Sequence, residues 1–411
     1  MIMELKINVN FNEQPAIAVA LFTGRGTLDH IPSPPPPSDP PHHVAGLKHL
    51  AWPVLGLAAL AALGSSACGD NWSSSGGDDG STGDADVPPP DGPSEPDYTI
   101  VVLPDTQFYA SSWPEIFAAQ TRWLLDNRDL QRIAFVLHTG DIVDTDESTQ
   151  WDVAFGSLHA LDSQLPYVIT AGNHDYANLA DRMGMGNVYF PAAAFAPFSW
   201  FGGTFEPDHI ENSYSLFTIG QDRWLVMALE FGPRDEVLTW GNAILDQFPD
   251  TPAIVITHAY LASDGRRYDH AHPGTQRFNP HDYVMMGQPG TSINDGEEMW
   301  AKLIGPHPNV RLVFSGHDVS GADLPPGTAA LLTSQHDDGS RVDQILANYQ
   351  TCLGPPCMQS RQGTLVRGGD GFLRLLRVSP ANRKISVQTY SPYVDQFLND
   401  PSNEFVLPFD P

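Results

Sequence analysis

Residues 133–144 read Ile-Ala-Phe-Val-Leu-His-Thr-Gly-Asp-Ile-Val-Asp, and the change of character after Leu137 decides the fold class. Ile133–Leu137 is short and continuously apolar, the pattern of a strand covered on both faces. Directly behind it stand His138, Gly140, Asp141 and Asp144, residues of a tight turn and of chemistry rather than of a core. The same succession recurs. Tyr98–Leu103 runs into Pro104-Asp105-Thr106-Gln107, and Pro166–Thr170 into Ala171-Gly172-Asn173-His174-Asp175. Ala253–Thr257 runs into His258, and Val310–Phe314 into Ser315-Gly316-His317-Asp318.

Between these stretches, Trp113–Asn127 places Ile116, Phe117, Gln120, Trp123 and Leu124 at helical spacing, and Gln150–Leu161 reads as a second helix. Trp224–Leu229 reads as a further strand. Strands alternating with helices predict an α/β fold with parallel strands in its first half. In such sheets the carboxyl ends of the strands line the ligand crevice, so five strands deliver Asp, Asn and His to one edge. Singly, Asp-Thr-Gln or Gly-Asn-His-Asp is explained as a turn and a lone His as core. Five in order are not, because a turn requires neither histidine nor a Gly-Asp-x-x-Asp spacing. Further on, Ala329–Thr333, Val342–Tyr349, Phe372–Val378 and Lys384–Thr389 look like consecutive strands, and there is no internal repeat.

The five polar segments resemble the signature of the calcineurin-like metallophosphoesterase superfamily: Asp-x-His, Gly-Asp-x-x-Asp, Gly-Asn-His-Asp/Glu, His, then Gly-His-x-His. The resemblance covers most of residues 98–390. LPDTQ at 103–107 and the later ILANYQ, GGDGFLRLL and TYSP are similar to one bacterial branch of that superfamily. It implies two stacked mixed β-sheets flanked by helices (α/β/β/α layers) in one domain over 98–411, and two divalent metal ions drawn from Mn, Fe, Zn and Mg. Asp141 would bridge both ions, Asp105 would bind the first, and Asn173, His258 and His317 the second. His174 would assist the leaving oxygen with Asp175 orienting its ring, and Asp144 would support without ligating. The expected activity is hydrolysis of a phosphomonoester or phosphodiester. Two cations about 3.5–4 Å apart clamp a phosphoryl group and activate water, so no protein nucleophile is required.

Two departures fall on the first ion. Gln107 stands where the pattern has His, a weaker and neutral oxygen donor, and Val319, which cannot ligate, stands where it has the final His. Asp318 is a candidate substitute. The second ion is therefore expected to bind more tightly, with a harder, exchangeable metal such as Mn or Mg at the first. The alternative reading is a surface-anchored metal- or phosphate-binding module with weakened catalysis on the same fold. Arg266 and Arg267 are candidates to grip substrate phosphate. His138 reads as a satisfied core histidine and Gln335–Asp338 as a plain turn. The long stretches 176–212 and 259–294, with Trp200, Phe201, Tyr268 and Tyr283, are expected to shape substrate choice.

The balance of 49 Asp plus Glu against 21 Lys plus Arg gives a net charge of −28, which argues against a nucleic-acid-binding surface. Lys48, the apolar run Ala51–Leu63 and the small residues before Cys68 describe a secretory signal over 44–68. The run is shorter than the roughly 20 residues a membrane span needs. Ser-Ser-Ala-Cys68 resembles a bacterial lipobox, which implies lipid attachment at Cys68 and a place in the cell envelope. Residues 1–43 are expected to be an untranslated or disordered extension. Residues 69–97 carry eight acids and no Lys or Arg among Gly, Ser and Pro, and read as a flexible tether. In an oxidising compartment Cys352 and Cys357 are expected to form a disulfide around Gly354-Pro355-Pro356.

Overall fold

A computed structural model describes residues 97–287, 291–319, 328–350, 358–361 and 364–409. Residues 1–96 lie outside them, with the stretch 44–68 read as a secretory signal and its Cys68, as do Cys352 and Cys357. Three parallel strands, β1 (Tyr98–Leu103), β2 (Ile133–His138) and β3 (Tyr167–Ile169), begin the first sheet. Every residue of all three is buried, which is why they carry no polar alternation.

The chain then builds the second sheet from β4 (Phe201–Thr204), β5 (Ser213–Ile219), β6 (Asp222–Leu229), β7 (Ala253–Thr257), β8 (Val310–Ser315), β9 (Thr328–Gln335) and β10 (Arg341–Asn348). Its order is β4-β5-β6-β7-β8-β10-β9. β6, β7, β8 and β10 run parallel, and β9 hangs antiparallel on β10. A small hairpin, β11 (Met358–Arg361) with β12 (Thr364–Arg367), follows. β13 (Leu373–Ser379) then returns to the first sheet, antiparallel along the free side of β1. β14 (Lys384–Ser391) pairs with it, and β15 (Gln396–Leu398) and β16 (Phe405–Pro408) both pair with β14. The run of C-terminal strands anticipated as consecutive is thus divided between two sheets.

Side-chain alternation sets the layers. Val101 and Leu103 of β1 and Val136 of β2 pack with Ile116, Phe117 and Leu124 of the helix Pro114–Asp126, and with Trp151, Ala154 and Leu158 of the helix Ser148–Leu158. The intervening Ile100, Val102, Phe135 and Leu137 face the second sheet and pack on Trp224, Val226, Ile254, Ile256, Leu312 and Phe314. The outer face of that sheet, Leu225, Met227, Val255 and Val313, is covered by Val237, Leu238, Ile244 and Leu245 of the helix Asp235–Gln247. Two stacked mixed sheets flanked by helices are therefore the architecture.

Within 176–212, expected as a loop, β4 forms a hairpin with β5. Its sequence, FGGT, is half exposed and hides the strand signal behind two glycines. Trp200 and Phe201, expected to shape substrate choice, serve the core instead. Trp200 lies edge-on to Phe135 at 5.7 Å and stacks on Phe198 at 5.3 Å, while Phe201 packs on Phe195 at 5.9 Å.

Candidate metal centre

The polar residues that follow β1, β2, β3, β7 and β8 meet across the gap between the two sheets. The backbone ties them directly. Thr106 N–H donates to the Asp141 carbonyl at 3.0 Å, and Gly316 N–H to the His258 carbonyl at 3.0 Å. His258 Nδ1 donates to the Thr139 carbonyl at 2.9 Å, bridging the sheets. Asp141 itself sits at φ 47° behind Gly140 at φ 92°, a left-handed pair that non-glycine residues adopt at a cost. The cost is repaid in position: Asp141 Oδ1 accepts from His174 N–H at 2.9 Å, and Oδ2 lies 3.1 Å from His258 Nε2.

Donor atoms of Asp141, His258 and His317 all lie within 4.8 Å of one another, and all three residues are buried. A carbonyl only accepts, so Nδ1 of His258 keeps its proton, and Nε2, buried beside Asp141 Oδ2, is the ring atom open to a cation once its own proton leaves. His317, at φ 73°, gives its Nε2 proton to the Phe278 carbonyl at 2.8 Å, which leaves the lone pair on Nδ1. Asn173 Oδ1 is buried and, among the described residues, unpartnered.

Asp105 stands on the other side. Its carboxylate accepts from His317 N–H at 3.2 Å, from Asn348 Nδ2 at 2.8 Å and from Gln350 Nε2 at 3.3 Å. Gln107 Nε2 donates to Asp144 Oδ1 at 3.1 Å, while its Oε1 is buried with no partner. Asp318 is engaged elsewhere: its Oδ2 accepts from Ser263 N–H at 2.7 Å. Asn348 and Gln350 escaped the sequence reading, although the signal was the same. Ile345–Ala347 is one more apolar strand end followed by polar residues, on a strand parallel to β8.

The electrostatics describe an excess of buried negative charge. Burial pushes the Asp105 and Asp175 carboxyls up to about 7, and the charge on Asp141 pushes the same way. For Asp141, burial opposes ionisation, yet facing His258 and His174 hold it below the usual carboxylate range. Burial works against a charge on His258 too, but Asp141 and Asp105 outweigh it and raise the ring to about 9. A proton thus stands where a cation would, and metal binding releases such protons. Burial and the neighbouring His258 push His317 down to about 3, so its ring stays neutral. Unpaired buried lone pairs cost about 1–3 kcal/mol each unless a ligand satisfies them. Among the described residues, Gln107 Oε1 and Asn173 Oδ1 are buried without a hydrogen-bond partner, and with Asp105, Asp141, His258 and His317 they fit divalent cations on that test.

Asp175 does not orient the His174 ring. Its Oδ1 accepts from Ile142 N–H at 2.8 Å and Val143 N–H at 3.0 Å, and its Oδ2 from Gly172 N–H at 2.8 Å. It therefore fastens the turn after β2 to the turn after β3. The ring is held instead by the Asp144 carbonyl, 2.7 Å from His174 Nδ1. The two arginines expected on substrate are also committed. Arg266 pairs with Asp264 at 2.7 Å at the surface. Arg267 lies 4.3 Å from the Trp300 ring and bonds Glu297, Ser334 and Gln344.

His138 is a satisfied core histidine, with Nδ1 accepting from Gly140 N–H at 3.2 Å and Nε2 bonded to Thr106 Oγ1 at 3.0 Å. His336 spans the Gly305 and Val310 carbonyls, at the opposite end of β8 from His317. Tyr268 and Tyr283 do border the site, with rings 6.0 and 5.9 Å from His317. Two further acid–histidine groups, Glu206-His209-Glu211 and His281-Asp295-Glu298, satisfy one another: His209 bonds Glu211 at 2.9 Å and His281 bonds Glu298 at 2.7 Å.

Residues 98–321 match the family described as Calcineurin-like phosphoesterase. The chain belongs to that family. The uncharacterized protein YvnB of Bacillus subtilis strain 168 is 33% identical over 310 residues, 74% of this chain and 20% of that protein. The chain thus spans about a fifth of the length of this curated relative. Among solved structures, the purple acid phosphatase PPD1 of yellow lupin aligns over 77% of this chain and 54% of its own, at 14% identity and a TM-score of 0.43. GAP50, the anchor in the inner membrane complex of Plasmodium, aligns over 76% and 89%, at 11% identity and a TM-score of 0.41. The NAD nucleotidase of Haemophilus influenzae aligns over 74% and 50%, at 11% identity and a TM-score of 0.36.

Proposed function

We propose that this protein hydrolyses phosphate esters with two divalent cations held between its sheets. Asp105, Gln107 and Asp141 hold the first, and Asp141, Asn173, His258 and His317 the second. The observation that carries the reading is the buried cluster of Asp141, His258 and His317 donor atoms within 4.8 Å of one another, supplied by three separate strand ends. When bound, the cations supply phosphoryl polarisation and an acidified water. The protein's own groups do the rest. Asp141 Oδ1 is aimed by the His174 amide, and Asp175 keeps the two flanking turns in register. Burial disfavours a charge on His174, but Asp141 and the Asp144 carbonyl raise its pKa, which favours the protonated ring, the form that gives a proton to the departing oxygen.

The test is hydrolysis of a generic monoester and a generic diester after loading with Mn, Zn, Fe or Mg, alongside metal analysis. Turnover under none of them would shift the reading to a binding module. His174→Gln is expected to lower kcat by about 10²–10⁴-fold while metal content stays at the wild-type level. Loss of metal in that variant would make His174 a structural residue instead.

We also propose that the domain works at the cell envelope, tethered through lipid at Cys68. The support is the basic, apolar and small-residue succession of residues 44–68 and the acidic Gly/Ser/Pro stretch behind it. Labelled palmitate fed to expressing bacteria should enter the wild-type chain and not Cys68→Ala. Equal label in both would remove the anchor.

A further inference from the structure

We infer that Gln350 Oε1 is the oxygen donor that completes the first cation's position, in place of the histidine that Val319 replaces. The inference rests on the two-cation reading above. Gln350 stands two residues beyond the end of β10, so a sixth parallel strand end contributes to the site. Its side chain is buried, Nε2 lies 3.3 Å from Asp105 Oδ2, and Oε1 has no hydrogen-bond partner among the described residues. A carboxylate oxygen only accepts, so Asp105 fixes which end of the amide is nitrogen and leaves the oxygen as an open lone-pair donor.

Asn348 locks this arrangement. Its Nδ2 donates to the same Asp105 Oδ2 at 2.8 Å, and its Oδ1 accepts from Gln350 N–H at 3.0 Å. The two amides clamp one carboxylate and hold the second amide oxygen beside it. Valine has no lone pair, and Asp318 is turned to the other side of the β8 end, where Ser263 N–H and the Tyr268 hydroxyl bond it. A substrate role for Oε1 is also unsuitable, because phosphate oxygens and an amide oxygen are both acceptors. With Gln350 in place, the first position is built wholly from oxygen: Asp105, Gln107 Oε1, Asp141 and Gln350 Oε1. Such a set selects hard ions of the Mg and Mn kind, whereas the imidazoles of His258 and His317 suit Zn or Fe in the second.

The experiment is titration of the chelator-stripped full chain with Mn²⁺, reading free Mn²⁺ by electron paramagnetic resonance. Wild type is expected to bind two ions in a tight and a weak class. Gln350→Leu should weaken the weak class at least about tenfold and leave the tight class unchanged, with an unaltered thermal midpoint in chelator. Gln350→Glu, which keeps an oxygen and adds charge, should tighten the weak class and so speaks to the assignment should the leucine variant misfold. Two ions bound with wild-type affinities by Gln350→Leu, or no tightening in Gln350→Glu, overturns the Gln350 assignment alone. A single Mn²⁺ on the wild-type chain overturns the two-cation reading with it.

Discussion

Asp141→Asn is expected to lower kcat for phosphoester hydrolysis by at least about a thousandfold, the scale on which metal-centred charge stabilisation acts. The protein should remain folded. The reason is arithmetic of donors: each carboxylate oxygen already has an address, Oδ1 at the His174 amide and Oδ2 beside His258 Nε2. An asparagine keeps one acceptor and turns the other into an N–H₂, which can neither bridge two cations nor face a second donor. Metal content should fall to one ion or none per chain, measured by elemental analysis beside the thermal midpoint in chelator. Activity close to wild type in a folded Asp141→Asn would refute the proposed chemistry outright.

Gly316→Ala is expected to be nearly as damaging, although it adds one methyl group and touches no ligand's identity. A Cβ at this position would lie 2.0 Å from Asp105 Oδ1 and 3.1 Å from its Cγ. That carboxylate is held by His317 N–H and by the Asn348 and Gln350 amides, so it has no free rotamer to retreat to. Either Asp105 leaves the site or the chain after β8 moves and carries His317 with it. Loss of the first cation and a fall of kcat by about 10²-fold or more, with a lower thermal midpoint, are the expected readings. The control is Gly156→Ala in the exposed face of the helix Ser148–Leu158, where a Cβ meets nothing within 4 Å. It should stabilise by about 0.5–1 kcal/mol and leave turnover alone. A Gly316→Ala chain with wild-type kcat and metal content would show that the close approach at Asp105 is not required.

Much of this site was legible because its strands are covered on both faces. A doubly buried strand must be apolar throughout, so the point at which polar residues resume marks the sheet edge. Asp105, Asp141, Asn173, His258 and His317 all announce themselves in that way. Gln350 announces itself equally, but ILANYQ lies among strands that read as a separate antiparallel run. Only the parallel pairing of β10 with β8 brings it to the same edge. Partners of single side chains were less legible. Asp175 adjoins His174 in sequence, yet three buried amides claim its oxygens first, and an unsatisfied buried N–H costs more than a loosely held ring. Arg266 and Arg267 carry the right charge for phosphate, but a surface aspartate and the Trp300 face are nearer. The hairpin of β4 and β5 was hidden by glycines.

The pairing of β1 with β13 has a consequence for timing. Tyr98 lies against Val378 and Val102 against Arg374, so β1 waits some 270 residues before its second neighbour exists. Such distant pairing is slow to close. A ribosome that has released Asp105 and Asp141 has offered two lone carboxylates and no cage. The last oxygen beside them, at Gln350, emerges some 245 residues after Asp105. On the proposed donor set, a cation would therefore meet a complete cage only after β10 has joined the sheet. Under the two-cation proposal, the ions around the folded domain would then choose the metal it keeps.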